Sequence, residues 1–151
     1  MAVDRHLTPV RFGIWSIRVD HESTEQAYAH CTDVAAACAC APCRNFVAAR
    51  QHAFPEPALA LLAELGIDPC CEAEVYWQGR EESGLHQYGG WFHFVGELEA
   101  EIDNIETVGQ HAVLWFTRHV ALVPAAFGDN PVIQLEFVTA IPWVLDEPEP
   151  E

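Results

Sequence analysis

The sequence predicts an α+β fold, an antiparallel sheet of about five strands with two short helices on one face. Three observations point there. The second half of the chain carries apolar runs that alternate with polar residues, separated by turn material. Between positions 42 and 66, proline and glycine punctuate two segments with helical apolar spacing. The order is strand, cysteine-rich loop, helix, helix, then four strands, which lacks the strand–helix alternation of a parallel wind.

In residues 10–19, Val10, Phe12 and Ile14 alternate and then shift phase to Trp15, Ile17 and Val19. This predicts one strand with a bulge near Gly13, or one covered on both faces. The pattern fades in residues 20–37, leaving a helical turn around 25–30. Pro42 suits the first turn of a helix, where its missing N–H costs nothing, and Phe46, Val47 and Ala49 supply an apolar side as far as Phe54. Pro55 and Pro57 break it. Residues 58–65 form a second helix with Leu59, Leu62 and Leu65 inward. Gly66 fits a left-handed cap with Ile67 over Leu62, and Asp68-Pro69 stops the helix. Ala73, Val75 and Trp77 then alternate with Glu74, Tyr76 and Gln78. A turn-rich link over 79–90 leads to residues 91–95, completing a hairpin. A third run spans 111–123. After Gly128-Asp129-Asn130 a fourth covers 132–144, with Ile133, Leu135 and Phe137 inward and Gln134 and Glu136 wet. This describes one domain over residues 1–145, followed by an acidic Pro/Glu tail, 146–151, expected to be disordered.

The 151 residues are 50% hydrophobic and 20% charged, a globular composition with no apolar run of the ~20 residues that cross a bilayer. Twenty-three acids against seven Lys and Arg give a net charge of −16, which repels phosphate backbones and anionic lipids. Nucleic acid and membrane are therefore disfavoured partners. The acids collect at Glu97, Glu99, Glu101, Asp103 and Glu106 and in the tail. They read either as a plain solvated face or as a docking surface for a basic protein partner. Residues 1–7 show no basic stretch feeding an apolar one, so the expected compartment is cytoplasmic. There the six cysteines are expected as metal ligands, redox groups or small apolar filler instead of disulfides.

The chemistry concentrates in Cys38-Ala39-Cys40-Ala41-Pro42-Cys43. Cys38, Cys40 and Cys43 can place three thiolates on a zinc ion, with a fourth ligand from His30, Cys31, Cys70, Cys71 or a sheet histidine. Without a second C-x-x-C pair the pattern does not separate zinc from iron–sulfur or Cu(I). Cys40-Ala41-Pro42-Cys43 is also a C-x-P-C at a helix start, where the helix dipole and Arg44 favour thiolate, with Cys40 attacking and Cys43 resolving. A thioredoxin-like frame needs a strand before that motif, and Val34-Ala35-Ala36-Ala37 shows none. Buried filler is the third alternative, made less comfortable by the clustering. His93, His111 and His119 fall in predicted strands and read as core or rim residues. The five tryptophans are assigned to core packing. G-x-S-x-G, Walker, G-x-G-x-x-G and H-E-x-x-H are absent, so the common hydrolase, nucleotide and protease signatures are missing.

Three motifs together, Cys38-x-Cys40-x-x-Cys43-Arg44-Asn45-Phe46, Leu65-Gly66-Ile67-Asp68-Pro69 and Tyr88-Gly89-Gly90-Trp91-Phe92-His93-Phe94-Val95-Gly96, resemble a family of small uncharacterised bacterial proteins. The resemblance covers residues 38–98. It implies bacterial origin, a recurring cysteine knot and no assigned activity. The expected function is a non-catalytic protein with a structural zinc site and an acidic protein-binding surface, of inhibitor or immunity type. The alternative is a thiol–disulfide oxidoreductase using Cys40 and Cys43.

Overall fold

Two strands stand where one was expected. In this computed structural model, which describes residues 6–150, β1 (Thr8–Phe12) and β2 (Trp15–Val19) pair antiparallel across a turn at Gly13. Gly13 has φ +57°, a left-handed value that glycine adopts without Cβ strain, so the phase shift in the apolar pattern marks a hairpin instead of a bulge. Residues 1–5, which carry most of the N-terminal reading, and Glu151 of the tail lie outside the described residues.

The segment where the pattern fades, with one helical turn expected at 25–30, holds two helices, α1 (His21–Tyr28) and α2 (Val34–Ala37). Both start on aspartate caps: Asp20 accepts from the Ser23 N–H at 3.0 Å and Asp33 from the Ala36 N–H at 2.9 Å. The predicted helix after the cysteines is α3 (Ala41–Ala49), followed by a 3-10 turn, Arg50–His52. The next, α4 (Glu56–Leu65), ends at Gly66 in the left-handed conformation, and the Ile67 N–H reaches the Leu62 carbonyl at 2.9 Å, as a Schellman cap requires. Its buried stripe is Ala58, Leu61, Leu62 and Leu65, while the expected core residue Leu59 is 42% exposed. With two helices more than expected and two strands more, the α+β class stands and the element count changes.

Seven strands make the sheet: β1, β2, β3 (Glu74–Arg80), β4 (His86–Leu98), β5 (Glu106–Val108), β6 (Ala112–Thr117) and β7 (Val132–Ile141). The order runs β1-β2-β4-β7-β6-β5, antiparallel at every pairing, with β3 also on β4. The β3–β4 hairpin is the one expected, but β4 begins at His86, so most of the anticipated link is strand. Of the third run, 111–123, β6 alone is strand and the short β5 lies ahead of it, which places His111 in a turn and His119 beyond the end of β6.

At 13 residues β4 organises everything else. One edge pairs with β7 over its first ten residues, His86 to Val95. The other edge takes β3 at His86–Trp91 and β2 at Gly96–Leu98, leaving a gap. An unpaired buried backbone group is costly, and α1 fills the gap with hydroxyls. Tyr28 donates to the His93 carbonyl at 2.9 Å and accepts from the His93 N–H at 3.1 Å. Thr24 accepts from the Val95 N–H at 2.9 Å. The helix forms because the sheet needs it, which its own weak apolar pattern does not reveal.

The core lies between one sheet face and α3 and α4, with Phe54, Phe92 and Phe137 in mutual ring contact and Phe46 against Phe137. Burying aromatics of this size supplies the dominant stabilising term. Cys31 and Cys71 are joined by a disulfide with Cα atoms 6.3 Å apart, contrary to the expectation of reduced thiols. Arg50 closes the same junction, forking onto Asp33 at 3.0 and 3.0 Å and onto Glu72 at 3.0 and 3.2 Å. The tail, expected to be free, lies along the body: Arg44 binds Glu147, and Arg80 and His86 bind Glu149. No helix among the described residues is long and apolar enough to cross a membrane.

Candidate metal centre

Local geometry gathers the cysteines. Cys38 caps the C-terminus of α2, Cys40 is the N-cap of α3, and Cys43 follows three residues later in the first turn. N-cap and N3 side chains face one another across the first turn, and Pro42 presets the backbone between them. The Sγ atoms of Cys38, Cys40 and Cys43 all lie within 4.8 Å of one another, with Cys38 and Cys40 at 3.1 Å. Three thiolates on zinc, each about 2.3 Å from the metal in a tetrahedron, would sit about 3.8 Å apart. Separations of no more than 4.8 Å are compatible with that value.

The fold holds this loop from below. Tyr88, fully buried, donates its hydroxyl to the Pro42 carbonyl at 2.8 Å. Asn45, also fully buried, donates to the Pro142 carbonyl at 3.2 Å and accepts from the Val144 N–H at 2.8 Å. Asn45 also approaches the Tyr88 hydroxyl at 3.4 Å. Asn45 and Tyr88 belong to two of the motifs singled out in the sequence, and their role as anchors was not evident there because they lie 43 residues apart.

Electrostatics differ across the three thiols. The Cys40 amide and the two neighbouring thiols hydrogen-bond to Cys38 and lower its pKa. Burial, followed by the adjacent thiols, pushes Cys43 up. Cys38 therefore yields its thiolate more readily than Cys43, and a bound cation would favour the ionised form of both. Arg44 sits beside Cys40 but is engaged by Glu147 at 2.8 and 2.9 Å.

The other expected ligands do not assemble. Cys31 and Cys71 are consumed by their own disulfide, and Cys70 is exposed with no place in the cluster. His93 is buried on Gln134 at 3.0 Å, with burial lowering its pKa, while His111 and His119 lie exposed and apart from it. Of the three histidines expected in strands as core or rim residues, His93 is in the core, and the exposed His111 and His119 lie outside the strands. His86, inside the anticipated loop, is the one missed: fully buried, it accepts from the Trp77 indole at 3.1 Å and meets Glu149 at 3.1 Å. Among the described residues no fourth Cys, His, Asp or Glu joins the three thiols.

No protein-family description, curated protein or solved structure matches this chain.

Proposed function

We propose that this is a non-catalytic domain in which Cys38, Cys40 and Cys43 hold a structural zinc ion and an acidic surface binds a basic protein partner. The observation that carries the metal half is the convergence of three Sγ atoms within 4.8 Å at the junction of α2 and α3. Such an ion would tie the short helix α2 to the start of α3, a junction with little apolar burial of its own: Ala35 is the buried residue of α2. Binding would release the remaining thiol protons, so affinity should rise with pH. The net charge of −16 supports the partner half, with an inhibitor or immunity-type role as the fitting biology.

The test is elemental analysis of protein purified without a metal-affinity tag. About one equivalent of zinc is expected, lost in Cys40→Ser together with thermal stability. Metal-free protein whose three cluster thiols all titrate, and whose melting is unchanged by added zinc, would overturn the proposal.

A second reading, thiol–disulfide exchange by Cys40 and Cys43, draws support from Cys40 standing exposed at the N-cap of α3. The helix follows α2 instead of a strand, and Cys43 is partly buried with a raised pKa, so this reading ranks second.

A further inference from the structure

The sheet has a second face, turned away from α3 and α4, and its side chains form an unusual row. Cross-strand register sets Glu74 of β3 opposite Trp91 of β4, Trp91 opposite Glu136 of β7, and Glu136 opposite Trp115 of β6. Carboxylates and indoles thus alternate across four strands, and all four residues are only partly buried. In the next row Tyr76, 38% exposed, lays its ring over Gly89 and approaches Trp91 at 6.3 Å between centroids. Any side chain at Gly89 would collide with that ring, so the glycine keeps the platform flat.

The surroundings turn the row into a groove. Beyond Glu136 and Trp115, residues 101–105 wall an open space of about 450 Å³ with Glu101, Asp103 and the exposed Ile105. At the row's other side, Ala121 is pinned by Gln134 at 2.8 Å and by the Trp91 indole at 3.0 Å. That clamp displays Leu122, 63% exposed and at φ +53°, a left-handed value that a leucine rarely adopts. Among the described residues no salt bridge engages Glu74 or Glu136, whereas Glu101 accepts from the Thr117 hydroxyl and the Arg118 N–H, with Arg118 and His119 close by. The hydrogen-bond donor to Glu136 is the neutral Trp115 indole at 3.2 Å, and the Arg118 guanidinium turns away to the Leu98 carbonyl. Burial consequently pushes the Glu136 carboxyl up.

Indole faces flanking partly buried carboxylates suit a planar guanidinium, which stacks on the ring and donates in a fork to the acid, better than a compact ammonium. We infer that this face is the docking surface for the basic partner, and that it takes an arginine side chain against the hydrogen-bonded pair Trp115 and Glu136, with a second cationic residue over Trp91 and Glu74. The inference rests on the basic-partner reading above and places it on the sheet instead of the tail.

The test follows the tryptophan indole N–H signals of the full-length protein by NMR during titration with an alternating Arg-Thr peptide of roughly eight residues, one strand's length, at about 0.15 M salt. The Trp115 and Trp91 signals should shift while that of the fully buried Trp15 stays still. Glu136→Gln and Trp115→Leu should each weaken binding about tenfold, and a Lys-Thr peptide should bind several-fold more weakly. Glu147→Gln in the tail should change nothing. Binding that spares Trp115 and Trp91 and ignores Glu136→Gln would overturn the location while leaving the basic-partner reading standing. Equal binding of the two peptides would overturn the arginine assignment. No shift with either peptide would overturn the basic-partner reading itself.

Discussion

Arg50→Ala should be among the most damaging single substitutions in the described chain. The guanidinium makes four N–O contacts between 3.0 and 3.2 Å, two to Glu72 and two to Asp33. The Glu72 side chain is 0% exposed and that of Asp33 28%, so the two arms differ in weight. Leaving a buried carboxylate without its partner costs about 3–5 kcal/mol, and the more exposed arm adds at most about 1 kcal/mol. That is a large part of a typical domain stability of about 5–15 kcal/mol. Urea denaturation followed by tryptophan fluorescence would measure it. The pH dependence gives an internal check. Burial pushes the Glu72 carboxyl up to about 7 against the opposing pull of Arg50, and a carboxyl raised in the folded state loses stability as pH climbs from its unfolded value through the folded one. Removing Arg50 raises it further, so the deficit should be largest above pH 7 and shrink as pH falls below about 4.5, where Glu72 becomes protonated in both states. The double variant Arg50→Met/Glu72→Leu should recover most of the loss. A deficit below about 1 kcal/mol at neutral pH, or one that grows on acidification, would refute the account.

Two further outcomes are expected. Reducing the Cys31–Cys71 disulfide, which spans a sequence separation of 40, should lower unfolding free energy by up to about 4 kcal/mol on loop-closure grounds, read as a shift in denaturation midpoint with and without reductant. In metal-free protein, Cys38 should be alkylated ahead of Cys43 in timed iodoacetamide labelling with peptide mapping, because hydrogen bonds favour its thiolate while burial suppresses that of Cys43. Reversal of that order would contradict the electrostatic picture of the cluster.

What was legible in the sequence is what depends on near neighbours. The start of α3 at Pro42, the end of α4 at Gly66 and the pairing of β3 with β4 all rest on local propensity or turn chemistry. So does the cysteine cluster, whose three members sit within six positions. What escaped depends on partners that meet only after folding. Helix α1 has a poor apolar stripe of its own and exists to satisfy backbone groups of β4 through Thr24 and Tyr28. The disulfide, the Arg50 forks and the Asn45 anchor join residues from 17 to 99 positions apart. The acidic and aromatic row required a register, since Trp91, Glu136 and Trp115 come from three different strands.

The bonds at Arg50 and between Cys31 and Cys71 have a topological meaning. Everything from residue 31 to residue 72, including α2, the cysteines, α3 and α4, leaves and returns through one cross-linked gateway. The sheet therefore carries this segment as a cassette whose ends are already clasped. Loosening the cysteine loop should let the cassette breathe without unzipping a strand, which would give native-state hydrogen exchange two separate opening units.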